Sequence, residues 1–204
     1  MTDGIGLHPR QLDALREVAT IGAGHAATAL SEMTRQTIMI EVPTIAVTPL
    51  GAAPLGGGPD RPVAVVSLAM HGDLTGRTVL VLPQETAARL SAQMLPARHA
   101  GAGLDSELAR SALMETGNIL AGAYLNALSA FAGLLLLPSP PTLRLGRAAE
   151  VLAEGAGGTG GGDVVVCVET EFLLQQDGVR LRGYFLLLPD APSLRALLRA
   201  VQVG

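Results

Sequence analysis

Two long stretches of the chain carry apolar and small residues at the three- and four-residue spacing of amphipathic helices. This pattern predicts one helix over residues 9–35 and a second over residues 105–132. Pro9 suits the first turn of the first helix, and Asp105 or Ser106 suits the N-cap of the second. Two long helices are therefore expected to dominate the fold.

Shorter apolar runs between these helices have the length and composition of β-strands. They cover residues 37–47, 63–70, 77–82, 143–145, 164–174 and 179–188. A turn-forming Gly-Asp or Asp-Gly step follows two of these runs, so each is predicted to fold back as a hairpin. Short helices and glycine-rich loops complete the pattern, at residues 84–94 and 193–201 and at residues 51–62 and 155–162.

The chain repeats itself at an offset of 98 residues. Residues 13–31 align with residues 111–129, and nine of the 19 aligned pairs are identical. The order of helix, extended segments, hairpin and short helix is also the same in both copies. An internal repeat of this kind indicates that the fold is built from two copies of one structural unit.

The repeat predicts a single domain over residues 1–204, built of two homologous halves at about 9–100 and 105–204. We expect an α/β (α+β) fold with a two-fold internal repeat. The strands of both halves should join in one antiparallel-rich β-sheet. The two long helices should lie side by side on one face of that sheet.

Composition excludes several classes of function. All 14 basic residues are arginine, so the chain has no lysine. Walker-A ATPases, Schiff-base enzymes and protein kinases each need one. A net charge of −4, with only three Phe and two Tyr, argues against nucleic-acid binding, which needs a basic face or stacking aromatic rings.

The single cysteine and the N-terminal residues indicate the cellular compartment of the protein. Cys167 allows no internal disulfide and is predicted to be a small core residue. Residues 1–10 do not resemble a signal peptide, so we expect a cytoplasmic protein. Asn126 interrupts the apolar run at residues 119–137 and Pro138 follows it, which favours a buried helix that runs into a strand over a membrane span.

Polar residues stand out on both long helices. The second helix carries three of them on one face, at i, i+4 and i+7: Ser111, Glu115 and Asn118. The first helix has three at the matching positions: Asp13, Glu17 and Thr20. We call these sets the second stripe and the first stripe. A solvated helix face is the ordinary explanation for such a pattern, but here it recurs in register.

Each stripe is also followed by a proline at the same distance. Pro43 lies 23 residues after Thr20, and Pro141 lies 23 residues after Asn118. Asp or Ser, three residues, Glu, two residues, Asn, 22 residues and Pro resembles the signature of the CheC, CheX and FliY phosphatases of bacterial chemotaxis. The second copy matches at every position, and the first departs only at Thr20. Two copies in one chain of this length are similar to CheC rather than to CheX.

This resemblance implies a phosphatase that hydrolyses the aspartyl phosphate of a CheY-type response regulator. It implies that Glu115 pairs with a lysine of the regulator and that Asn118 positions the attacking water. Ser111 and Pro141 would support this site. The resemblance assigns Mg²⁺ to the regulator, so we expect no metal or cofactor in this chain.

The first stripe is expected to form a second, weak site with Glu17 and Thr20, supported by Asp13 and Pro43. The threonine side chain is shorter than that of asparagine and is restricted at χ1. Its hydroxyl tends to bond a carbonyl three or four residues earlier in a helix. We therefore expect it not to reach a water at a docked phosphoryl group. The alternative, that Thr20 orients the water adequately, stays open.

Two other functions stay open. A protein of the same fold could bind the regulator, or the CheD deamidase, without hydrolysis. A structural component of the flagellar switch is the third possibility, which the lack of a further domain disfavours. Neither a nucleic acid nor a membrane is an expected partner.

Overall fold

A computed structural model describes residues 9–42, 44–55, 57–95, 99, 101–156, 164–174 and 178–200. The helices are α1 (Pro9–Thr34), α2 (Gln84–Met94), α3 (Glu107–Ala132), α4 (Ala148–Ala156) and α5 (Ala191–Ala200). The strands are β1 (Ile38–Glu41), β2 (Ile45–Pro49), β3 (Pro62–Gly72), β4 (Gly76–Pro83), β5 (Leu136–Pro138), β6 (Thr142–Arg147), β7 (Val164–Leu174) and β8 (Val179–Pro189).

Both long helices lie within two residues of their predicted bounds. Ser106 caps α3, because its side chain accepts a hydrogen bond from the backbone N–H of Ala109 at 3.2 Å. Gly133 ends the same helix in the left-handed conformation, with φ at 66°. The predicted capping is therefore confirmed, and so are both hairpins, because β3 pairs with β4 and β7 with β8 as antiparallel neighbours.

One antiparallel sheet contains the eight described strands, in the order β1-β7-β8-β4-β3-β5. The two hairpins meet at its centre, where β4 pairs with β8. The first strands of each half pair with the hairpin of the other half: β1 and β2 with β7, and β5 and β6 with β3. The halves are thus interlocked, and the order is the same from either edge. This arrangement confirms the predicted internal two-fold symmetry.

The long helices α1 and α3 pack beside each other on one face of this sheet. Leu15 and Leu30 of α1 and Leu113 and Leu120 of α3 are buried in one apolar core, which also contains Phe185 of β8. Their apolar faces point to the sheet, so their polar faces are left to solvent. The predicted placement of the helices is confirmed.

Helix α4 was not predicted from the sequence. It starts directly after β6, and its Ala148 and Val151 pack on the opposite face of the sheet, against a cluster that includes Val65 of β3 and Leu186 of β8. The C-terminal end of α4 runs into the glycine-rich stretch at residues 155–162 that is predicted to be a loop, which obscures the helix in the sequence.

Gly22 allows α1 and α3 to approach closely. A Cβ at this position would lie 2.6 Å from Cδ1 and 3.0 Å from Cα of Tyr124 on α3. Tyr124 is buried and stacks on Phe185 with ring centroids 4.4 Å apart, so it has little freedom to move away. Gly24 lies two residues further along α1, on its exposed side, and a Cβ there would meet no atom within 4 Å.

We expect Gly22→Ala to lower the free energy of unfolding by about 1–3 kcal/mol, the usual cost of overpacking. Gly24→Ala is the matched control and should raise it by up to about 1 kcal/mol, because alanine is the better helix former. Urea unfolding of the three proteins measures both changes. Equal changes in the two variants would contradict the close contact between the helices.

Candidate active site

The second stripe lies on the exposed face of α3. Ser111, Glu115 and Asn118 are all exposed, whereas Leu113 and Gly117 between them are buried. Within the described part of the chain, no hydrogen bond or ion pair engages the side chain of Glu115 or Asn118. Side chains three residues apart on a helix are neighbours. A carboxylate and an amide are therefore held together, free to meet another molecule.

The first stripe is exposed as well, but its side chains are partly engaged. Asp13 forms an ion pair with Arg16 at 3.1 Å. Thr20 donates a hydrogen bond from its hydroxyl to the carbonyl oxygen of Arg16, at 2.8 Å. This is the bond to the preceding turn that is expected of a threonine in a helix. Glu17 is exposed, and no partner engages it among the described residues.

The residues that flank the two stripes also differ. Leu108, three residues before Ser111, is an apolar side chain with 48% of its surface exposed. The matching position in α1 is the exposed Arg10. The face of α3 is therefore more apolar at this end, and the face of α1 carries more charge.

Only one of the two motif prolines can be placed. Pro141 is half-buried and directly precedes β6, where its missing N–H does not interrupt the strand ladder. The next residues, Thr142 and Leu143, pair with Ser67 and Val66 of β3, the strand on which α3 lies. Pro141 thus starts a strand of the layer under the second stripe. Pro43 lies outside the described residues.

The two stripes lie at opposite ends of the pair of helices. The two-fold axis passes between β4 and β8, which are antiparallel, so it relates α1 and α3 as antiparallel helices. Both stripes occupy the N-terminal half of their helix. The protein therefore presents two separate polar sites, as the repeat predicted.

Three other kinds of feature have little support among the described residues: a cysteine nucleophile, a metal site and a membrane-spanning helix. Cys167 is buried in β7, and burial together with the nearby charge of Glu169 raises the pKa of its thiol to about 12. At neutral pH the thiol is protonated and is not a nucleophile. Among the described residues, no group of three or more His, Cys, Asp or Glu side chains could hold a metal ion. None of the described helices combines the length and apolar character of a membrane span.

Known structures share this fold. The chain is similar to FliY from Thermotoga maritima, with a TM-score of 0.75 and 22% identity, over 98% of this chain and 99% of that one. The FliM middle domain from H. pylori matches with a TM-score of 0.62 and 16% identity, over 95% and 99% of the two chains. At these identities the likeness concerns the fold alone.

Sequence similarity is more specific. The CheY-P phosphatase CheC from Bacillus subtilis (strain 168) is 34% identical over 200 residues, which is 96% of each chain. A sequence model of the CheC-like family matches twice, at residues 11–47 and 108–144. Each match contains all three positions of one stripe together with its proline. This chain therefore belongs to the CheC-like family.

Proposed function

We propose that this chain is a phosphatase that hydrolyses the aspartyl phosphate of a CheY-type response regulator, at the second stripe. The observation that carries the proposal is the complete stripe on α3, with Glu115 and Asn118 exposed and without a partner among the residues that the structure describes. The CheC relative that shares 34% of its sequence is a CheY-P phosphatase. Similarity over 96% of both chains supports the same reaction here.

In this reaction the oxygen of a water attacks phosphorus, and the bond between phosphorus and the aspartyl oxygen breaks. The products are the free carboxylate of the regulator and inorganic phosphate. Such a transfer depends mainly on the position of the attacking water. The amide of Asn118 would accept and donate hydrogen bonds to that water. As a neutral group it is not repelled by the phosphoryl oxygens, as a second carboxylate would be.

Glu115 would act as an anchor rather than as a base. A charge-assisted hydrogen bond between its carboxylate and a lysine of the regulator would hold α3 against the phosphorylated aspartate. The lysine in this pair would be the partner's, since this chain has none. A Mg²⁺ ion held by the regulator would neutralise charge on the phosphoryl group.

The first stripe would contribute less to turnover. Its Glu17 is exposed and could anchor a regulator in the same way. The hydroxyl proton of Thr20 is already donated to Arg16, and the side chain is short. We infer that this site binds a regulator weakly and hydrolyses little.

Phosphate release tests the proposal. A CheY-type regulator from the same organism is charged with acetyl phosphate, and release of inorganic phosphate is followed with and without this chain. We expect the chain to accelerate release catalytically, at concentrations well below that of the regulator. Binding without acceleration would instead support an adaptor. In that case a pull-down with CheD from the same organism tests the CheD-binding alternative.

A further inference from the structure

Gly117 brings α3 unusually close to the sheet. A Cβ at this position would lie 2.4 Å from Cγ1 and 2.9 Å from Cβ of Val66 on β3, whereas ordinary contact begins at 3.4 Å. Val66 is fully buried, with β4 and β6 on its two sides. A change of the Val66 rotamer would not relieve the contact with its Cβ. An alanine at position 117 therefore requires α3 to move away from β3.

Thr116 fixes the same turn of α3 from a second direction. Its side chain is fully buried, and its hydroxyl lies within hydrogen-bond distance of Sδ of Met94, at the end of α2. The same hydroxyl donates a hydrogen bond to the carbonyl oxygen of Ala112, at 2.9 Å. Thr116 and Gly117 are the two residues that separate Glu115 from Asn118. The helical turn that carries Glu115 and Asn118 is therefore packed against β3 and against the end of α2.

The first stripe lacks this arrangement. Val18 and Ala19 occupy the matching positions on α1, and both are buried. An alanine stands where α3 has Gly117, so α1 carries a Cβ at the point where α3 has none. The glycine accompanies the complete stripe, and the incomplete stripe has a buried alanine in its place.

We propose that Gly117 is a positioning residue for the phosphatase reaction, with Thr116 in support. Because Gly117 has no side chain, α3 packs directly on Val66. This contact determines how far Glu115 and Asn118 project from the protein surface. This inference rests on the proposed function of the second stripe. The shortfall at Cγ1 of Val66 is 1.0 Å, the difference between 3.4 and 2.4 Å. A misplacement of about 1 Å can cost about 100-fold in rate.

Gly117→Ala tests the proposal. We expect kcat for the phosphorylated regulator to fall by about 10- to 100-fold, with KM changed by less than about threefold, because the exposed side chains are kept but displaced. Gly122→Ala is the matched control on the same helix, since a Cβ there would meet no atom within 4 Å. It should leave kcat within about twofold of the parent.

A variant of Val66 distinguishes a positioning role of Gly117 from a general structural effect. Val66→Ala removes Cγ1, so that only the 2.9 Å contact with Cβ stays short. In that background Gly117→Ala should cost less than about tenfold in kcat. An equal loss in both backgrounds, or a kcat within about twofold of the parent for Gly117→Ala, would overturn the proposal. If Gly117→Ala does not fold, Val66→Ile adds a methyl group at the same contact between α3 and β3. An unchanged kcat in Val66→Ile would then overturn the proposal.

Crystal structures of the parent and of Gly117→Ala give a readout that does not need activity. We expect α3 to be lifted from β3 by about 1 Å at residue 117, the shortfall in the contact. A parent that fails to accelerate phosphate release, with α3 displaced in the variant, would refute the proposed function alone. An undisplaced α3 would refute the role of Gly117.

Discussion

Replacement of Asn118 by alanine is expected to lower the turnover of phosphorylated regulator by about 100-fold, equivalent to about 2.7 kcal/mol of transition-state stabilisation. The amide of Asn118 can both donate a hydrogen bond to water and accept one from it, without carrying a charge. Alanine keeps the helix but leaves the water unoriented. Glu115→Ala should reduce kcat/KM by a similar factor, because the anchor to the regulator is lost.

Both substitutions should leave folding intact, because both side chains are exposed and have no partner among the described residues. The expected change in the free energy of unfolding is within about 0.5 kcal/mol. Asn126→Ala is the matched control, an exposed asparagine two turns further along α3. It should turn over the regulator like the parent. Activity of Asn118→Ala within about twofold of the parent would refute its assigned role.

The second large effect is a gain of activity at the first stripe. In an Asn118→Ala background, Thr20→Asn should raise phosphate release by about tenfold or more, because the amide replaces a hydroxyl that is committed to Arg16. Glu17→Ala in the parent should leave turnover nearly unchanged. Phosphate release from a charged regulator, followed under steady-state conditions, measures both variants.

Thr28→Asn in the same background is the control for this gain. Thr28 is also an exposed threonine of α1, and its hydroxyl also bonds the carbonyl four residues earlier, that of Gly24, at 3.0 Å. It lies outside the stripe, so asparagine there should restore nothing. Loss of half or more of the activity in Glu17→Ala would show instead that the first site works and that threonine orients the water adequately.

The local pattern of the sequence was sufficient for most elements. Helices α1 and α3 and both hairpins follow from apolar periodicity and turn residues, which act over a few neighbouring positions. The N-cap of α3 was narrowed to Asp105 or Ser106, and the structure selects Ser106. The repeat gave the two-fold symmetry, because homologous halves that share a sheet must pair equivalently. Helix α4 was not predicted because it adjoins a glycine-rich stretch and its burial depends on the sheet beneath it.

The exchange of strands between the halves could not be read from the sequence. Nothing in β1 or β2 says that they pair with β7 rather than with the hairpin of their own half. Pairing partners are chosen by contacts between residues far apart in the chain, and a strand of the same apolar composition fits either neighbour. The registers of these strands were likewise decided only in the fold.

The stripes themselves were found in the sequence, since spacing along a helix determines which side chains share a face. The sequence also marked Thr20 as the departure from the pattern. It did not reveal the importance of Gly117, because a glycine within a helix has several explanations and only the position of Val66 distinguishes them. Candidate catalytic residues are recognised in a sequence by their type and spacing. The residue that positions them is recognised only when the strand that it contacts is known.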